Sequence, residues 1–425
     1  MFCMMPWVHL HVTQLGTVTP CCQAPWGADD AFGDVNTQSL EEIWNGEPIR
    51  RFRAALLRGE ADPRCARCHD KERSGLTSLR QITNDDYTHR LDWVDQTADD
   101  GSCEASRPVY FDIRFSNVCN FRCRICGPAS SSRWFEDAKA LGQLGDERAP
   151  VTRAAQDPAR LMREIEGLVD GLDEIYFAGG EPLVMDEHYA LLDLLIAKRR
   201  TDVRLKYNTN LSHLRFKDKD IVSYWRQFTH VMVSASLDGS RARGELQRKE
   251  QVWSETVENA QRLREQCPHV QLQVTPTVSV FNLLHLPDFH REWTEAGLID
   301  VAHFWPSVLT QPAAYSIRIL PESLRQRARD LYRAHIGWIA DRETAYPKHR
   351  ERSMEFWRGV LTHLDSADHS HLIGEFVQRT LVLDRLRGES TASAFPELAA
   401  VFDAAPPHET VSSSSGRRGC SESSS

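Results

Sequence analysis

Long apolar runs are missing from this 425-residue chain. No stretch reaches the ~18 apolar residues that a membrane-spanning helix needs, so no span is expected. A basic surplus is also missing. Lys and Arg number 51 against 60 Asp and Glu, for a formal net charge of −9, which disfavours a general affinity for nucleic-acid backbone. The basic clusters at Arg50, Arg51 and Arg53 and at Arg325, Arg327 and Arg329 read as solvated helix faces. The first residues, MFCMMPWVHLHVTQLG, lack a positive leading segment, and His9, His11, Thr13 and Gln14 interrupt their apolar character. They do not read as a signal peptide, and a cytoplasmic location is the expectation. The length exceeds what one small core requires and predicts more than one domain.

What the chain does have is grouped cysteine. Eleven are present, and in a reducing compartment grouped cysteines read as metal ligands rather than disulfides. The sharpest group is CNFRCRIC, with Cys119, Cys123 and Cys126 inside eight residues. Four thiolates normally hold a 4Fe–4S cluster. Three close ligands would leave one iron open to chelate a small molecule, as an open position marks a catalytic zinc. The competing readings are a zinc site, which usually takes paired Cys-x2-Cys ligands, and three unrelated core cysteines.

The cysteines follow the strictly alternating segment 109–116, a predicted strand. Further strands are predicted at 174–178, 203–207, 231–236, 270–278 and 301–305. Helices are predicted from about 131, and at 158–172, 187–198, 217–228, 253–265 and 286–296. Six strands alternating with helices argue for parallel βα units, and six units rather than eight for a partial, open barrel. Polar motifs close successive strands: AGGEP over 178–182, YNTN over 207–210 and SASLDG over 234–239, with Arg248 ten residues past Asp238. Alone, each reads as a turn or a surface charge. Together they lie at the C-terminal strand ends, which form the catalytic mouth of β/α barrels.

Cys119, Cys123 and Cys126 resemble the Cys-x3-Cys-x2-Cys signature of the radical S-adenosylmethionine (SAM) superfamily, and the likeness covers about residues 108–310. Ile125 stands where an aromatic residue is usual. The resemblance implies a partial (β/α)6 TIM-like barrel and a 4Fe–4S cluster that reductively cleaves SAM to a 5′-deoxyadenosyl radical. It also implies a SAM pocket. Gly179, Gly180, Glu181 and Pro182 would meet the SAM amino group, Ser236 and Arg248 the carboxylate, and Asn208 or Asn210 the ribose, with Asp238 among the same polar positions.

A second cysteine group lies near the start: Cys3, Cys21, Cys22, Cys65 and Cys68. Spacing alone leaves zinc and a cubane both open. The run Cys3…Gly16…Cys21, then LEEIWN over 40–45, then Cys65-x2-Cys68, resembles the SPASM auxiliary-cluster module or its shortened form, twitch. That likeness implies an auxiliary 4Fe–4S cluster on Cys3, Cys21, Cys65 and Cys68, with Cys22 as an alternative to Cys21. Here the module precedes the barrel instead of following it. A single helix is expected around 39–57, capped by Thr37 or Ser39. His9 and His11 share one strand face and read as packing or supporting groups. Cys103, Cys267 and Cys420 read as bystanders or structural.

The expected organisation is a Cys-rich module at 1–94, a linker at 95–107, the barrel at 108–310, a helical extension at 311–403 and a disordered Ser-rich tail at 404–425. The expected activity is radical modification of a peptide or peptide-derived natural product, served by a low-potential electron donor such as a flavodoxin or ferredoxin. The alternatives are radical modification of a small metabolite, carbohydrate or nucleotide, and a non-catalytic electron-transfer protein. The peptide preference is analogy with other bearers of such modules.

Overall fold

The computed structural model describes residues 2–25, 30–73, 77–144 and 149–403. The Ser-rich tail and Cys420 lie outside the described residues.

Twelve strands are present among the described residues: β1 (His9–Val12), β2 (Thr17–Thr19), β3 (Gly33–Asp34), β4 (Tyr110–Ile113), β5 (Glu174–Phe177), β6 (Arg204–Thr209), β7 (Arg215–Phe216), β8 (Lys219–Asp220), β9 (Val231–Ala235), β10 (Gln271–Val274), β11 (Thr277–Val278) and β12 (Ser307–Val308). Eight of them form one sheet in the order β10-β9-β6-β5-β4-β1-β2-β3. The run from β1 to β10 is parallel, whereas β2 and β3 join antiparallel. The sheet does not close into a barrel.

Strand alternation gives this sheet two unlike faces. Phe111, Ile175, Leu205, Val233 and Leu272 lie on one face and are buried in the core beneath the helices. The other face carries Tyr110, Asp112, Tyr176, Lys206, Asn208, Ser234 and Gln273, and adjacent strands hold these residues in register. β1 extends the polar wall, since His9 pairs with Tyr110 and His11 with Asp112. The N-terminal strand β1 is therefore part of the same open sheet as the later parallel strands.

Three elements differ from the sequence expectation. The helix expected at 39–57 is two helices, Leu40–Trp44 and Glu47–Leu57. Gly46 caps the second, with Pro48 in its first turn, where the missing N–H costs nothing. Ser39, rather than Thr37, caps the first through a reciprocal capping box with Glu42. The helix expected at 217–228 begins only at Ile221. Before it, β7 and β8 form a hairpin turned by Lys217 at φ +56°, and the Asp220 carboxylate accepts from Val222 N to start the helix. The strand expected at 301–305 is a single parallel bridge, Val274 to Phe304, continued by β11 and β12.

The region after residue 321 is helical, with Glu322–Ala340, Pro347–Asp365 and Ile373–Arg387 as its main elements. Among the described residues no helix is long and apolar enough to cross a membrane.

Candidate active site

A cavity of about 360 Å³ opens at the C-terminal ends of the parallel strands. The loop after β4 brings Cys119, Cys123 and Cys126 to it. The turn after β5 brings Gly179, Gly180 and Glu181, β6 and its end bring Asn208 and Asn210, and Ser236 and Arg248 follow β9. Ten of the twelve positions expected from the sequence line this cavity; Pro182 instead opens a short 3-10 turn, and Asp238 stands behind Arg248.

Backbone approach explains the two glycines. Gly179 has φ +120°, a conformation L-residues rarely adopt. A Cβ on Gly180 would fall 2.0 Å from the Val118 carbonyl oxygen, so the turn packs directly on the chain entering the cysteine loop.

Glu181 is buried and held by its neighbours. Thr209 Oγ1 donates to Oε1 at 2.7 Å, Asn210 N to Oε2 at 2.7 Å and Leu183 N to Oε1 at 3.1 Å. A carboxylate offers about four acceptor positions, so one remains for a donor in the cavity. Burial pushes its pKa up to about 7, although these hydrogen bonds oppose the rise.

Arg248 lies between carboxylate and thiol. Its Nε is 3.0 Å from Asp238 Oδ2, and its Nη1 donates to Cys123 Sγ at 3.7 Å. Asp238 is fixed in turn by Thr277 N, which donates to Oδ1 at 2.8 Å. Hydrogen bonding with the Cys126 thiol and the nearby guanidinium hold Cys123 below the ordinary thiol range. Burial pushes Cys119 up to about 12. Asn210 donates to Asn120 Oδ1 at 2.8 Å and accepts from Ser212, which ties the end of β6 to the cysteine loop.

The N-terminal cysteines divide between two cavities. Cys3, Cys21, Cys65 and Cys68 line an enclosed space together with Arg64 and Arg80. Cys22 lines the barrel cavity instead, next to Gln23, Arg114 and Tyr176. Burial pushes Cys3 up to about 12 and Cys65 to about 11. Cys3 and Cys68 are buried and Cys21 and Cys65 half-buried; four thiols with no carboxylate among the lining residues are the ligand type that a soft, thiolate-bound iron group takes. Cys267 is buried and donates to the Val222 carbonyl, and Cys103 is buried and donates to that of Trp93.

Sequence reasoning missed one part of the site. Asp112 on β4 ion-pairs with Arg114, whose Nε lies 3.2 Å from Oδ1, and its Oδ2 lies 3.0 Å from His11 Nδ1. Arg114 and Tyr176 then line the cavity wall. His11 could be placed on a strand face from sequence, but its partner lies 101 residues away. His9 is buried against the Tyr110 ring, 4.4 Å between centroids, and burial lowers its pKa to about 3.

The thiol triad and the strand-end polar groups thus share one cavity, and the thiol quartet lines a second. Residues 113–286 match the family model of the radical SAM superfamily, and residues 3–69 match that of the SPASM iron–sulfur cluster-binding domain. The chain carries a radical SAM domain with a SPASM domain ahead of it. A 4Fe–4S cluster and SAM are the cofactors of the first domain, and an auxiliary iron–sulfur cluster that of the second.

The chain is 28% identical over 129 residues to a GTP 3′,8-cyclase of Campylobacter lari. That match covers 30% of this chain and about a third, 34%, of the relative. Among solved structures it is similar to TYW1 with a lysine–pyruvate adduct bound, at 10% identity and a TM-score of 0.30, over 54% of this chain and 71% of that one. It is also similar to the radical SAM methyltransferase TsrM of Kitasatospora setae with tryptophan and aza-SAM bound. That likeness has 16% identity and a TM-score of 0.31, over 45% of this chain and 34% of that one.

Proposed function

We propose that Cys119, Cys123 and Cys126 hold the catalytic 4Fe–4S cluster and that the adjoining cavity binds SAM for radical modification of a peptide or peptide-derived substrate. The observation that carries this reading is the single cavity shared by three thiols, Glu181, Asn208, Asn210, Ser236 and Arg248. Such a cluster supplies the electron that splits the SAM sulfonium and so delivers a carbon radical. The chain's own residues bind and orient. Glu181 has one acceptor position left for the SAM amino group. Arg248, held in place by Asp238, faces the SAM carboxylate together with Ser236. Asn208 and Asn210 take the ribose. Cys3, Cys21, Cys65 and Cys68 hold the auxiliary cluster.

The peptide preference rests on the SPASM domain and on its contribution to the cavity wall, where Cys22 and Gln23 stand beside Arg114. A nucleotide substrate is the second reading, favoured by the partial likeness to a GTP cyclase. We place the enzyme in a reducing cytoplasm, with a flavodoxin or ferredoxin as electron donor. The test is anaerobic reconstitution with reductant, SAM and either candidate peptides or GTP. Formation of 5′-deoxyadenosine stimulated by a peptide supports the first reading, stimulation by GTP supports the second, and none in any arm contradicts both.

A further inference from the structure

We propose that the C-terminal helical extension is part of the catalytic cluster site, with Asp384 and Glu389 acting through Arg124 as positioning residues for the cysteine loop and for Arg248. This rests on the assignment of Cys119, Cys123 and Cys126 to the cluster.

Arg124 lies between the second and third cysteines of the triad, and its side chain is fully buried. Its Nη2 donates to Asp384, and to Glu389 Oε2 at 2.7 Å. These carboxylates stand 260 and 265 residues along the chain. The helix Ile373–Arg387 ends at Gly388, whose φ of +64° lets the chain turn back. That turn sets Glu389 beside Asp384. Thr391 then donates to Asp384 through both its N (2.7 Å) and its Oγ1 (2.9 Å), which fixes the carboxylate for Arg124. A fully buried guanidinium is stable only when paired in this way.

The same arginine grips the segment that carries Arg248. Arg124 N donates to the Gln247 carbonyl at 2.8 Å and Nε to that of Leu246 at 3.2 Å. Arg122 N donates to the Lys249 carbonyl at 3.2 Å. Lys249 closes the joint from outside, with Nζ 3.0 Å from Glu389 Oε1. The cysteine loop, the Arg248 segment and the end of the extension therefore meet at one buried joint. Movement of either carboxylate would shift Cys123 relative to the guanidinium that touches it. Such a shift would change how the three thiols present themselves to the cluster they would hold, because supporting groups set the geometry of the ligands.

The test uses the full-length, reconstituted protein and its Asp384→Asn and Glu389→Gln variants. Two readouts are taken: the electron paramagnetic resonance spectrum of the reduced protein with and without SAM, and the rate of iron loss to a chelator. In the variants we expect the SAM-induced spectral change to weaken or shift. Iron release from the catalytic site should accelerate about tenfold, while iron at the N-terminal quartet leaves at the wild-type rate. Glu389→Gln serves if Asp384→Asn does not fold, because Glu389 also pairs with Lys249, whose side chain is part-exposed. Variants with the wild-type SAM-dependent spectrum and wild-type iron release would overturn the proposal. Absence of any SAM-induced change in the wild-type protein would instead overturn the site assignment on which it rests.

Discussion

Cys21 and Cys22 are neighbours in the chain but line different cavities, Cys21 with Cys3, Cys65 and Cys68 and Cys22 with the barrel thiols, Arg114 and Tyr176. One peptide unit thus separates the two cavities. The sheet is built partly from the N-terminal domain, because β1 pairs along β4.

Serine at Cys21 and at Cys22 should therefore have different effects. Reconstituted wild-type protein should contain about eight irons, from two four-iron clusters. Cys21→Ser should reduce this towards about four, whereas Cys22→Ser should leave the iron content unchanged. Metal analysis of anaerobically purified protein checks both. Equal loss of iron in the two variants would count against the division.

SAM binding should depend on pH through Glu181. Its carboxyl is raised to about 7 by burial, and the ionised form is the better acceptor for the SAM amino group. As pH falls through 7 the protonated fraction grows, so affinity should fall by about tenfold per pH unit below that value and level off above it. Glu181→Gln should flatten the profile at reduced affinity, about tenfold to a hundredfold weaker for a lost charge-assisted hydrogen bond. Equilibrium binding across pH 5.5 to 8.5 measures this, with the window set by the shift to about 7.

Gly180→Ala should destabilise the protein as well as weaken SAM binding, because the new methyl would meet the Val118 carbonyl. Overpacking of this kind costs about 1–3 kcal/mol. Urea denaturation should record a lower midpoint with an unchanged slope. A wild-type midpoint would mean that the turn can move away from Val118 without cost.

The Arg114–Asp112–His11 group should act on substrate rather than on iron. Asp112→Asn removes the charge that holds Arg114 and leaves a half-buried guanidinium without its ion-pair partner. Iron content and SAM affinity should change little, while stimulation of 5′-deoxyadenosine formation by an active substrate should fall about tenfold or more. Comparing coupled and uncoupled SAM cleavage in the variant separates these effects.

The parts of the site carried by local motifs were legible in the sequence. The Cys119–Cys126 loop and the 178–182 turn keep their chemistry within a few residues and occur at the ends of alternating strands. The quartet was legible only through its likeness to a known module, since its two halves lie more than forty residues apart. Asp112 with His11, and Arg124 with Asp384, could not be read. Each pair is made by folding across 101 and 260 residues, and neither end carries a recognisable spacing. In the fold, the break at Gly46 was obscured because apolar residues continue at helical spacing across it. The Ile221 helix start was hidden because Lys217 takes a left-handed turn, for which lysine gives no signal.

The most direct test of the central claim is iron content and SAM cleavage in the Cys119→Ala/Cys123→Ala/Cys126→Ala protein, reconstituted without oxygen and supplied with reductant. The account predicts about four irons instead of about eight, held by the N-terminal quartet, and no 5′-deoxyadenosine. Wild-type 5′-deoxyadenosine formation by that triple variant would contradict it.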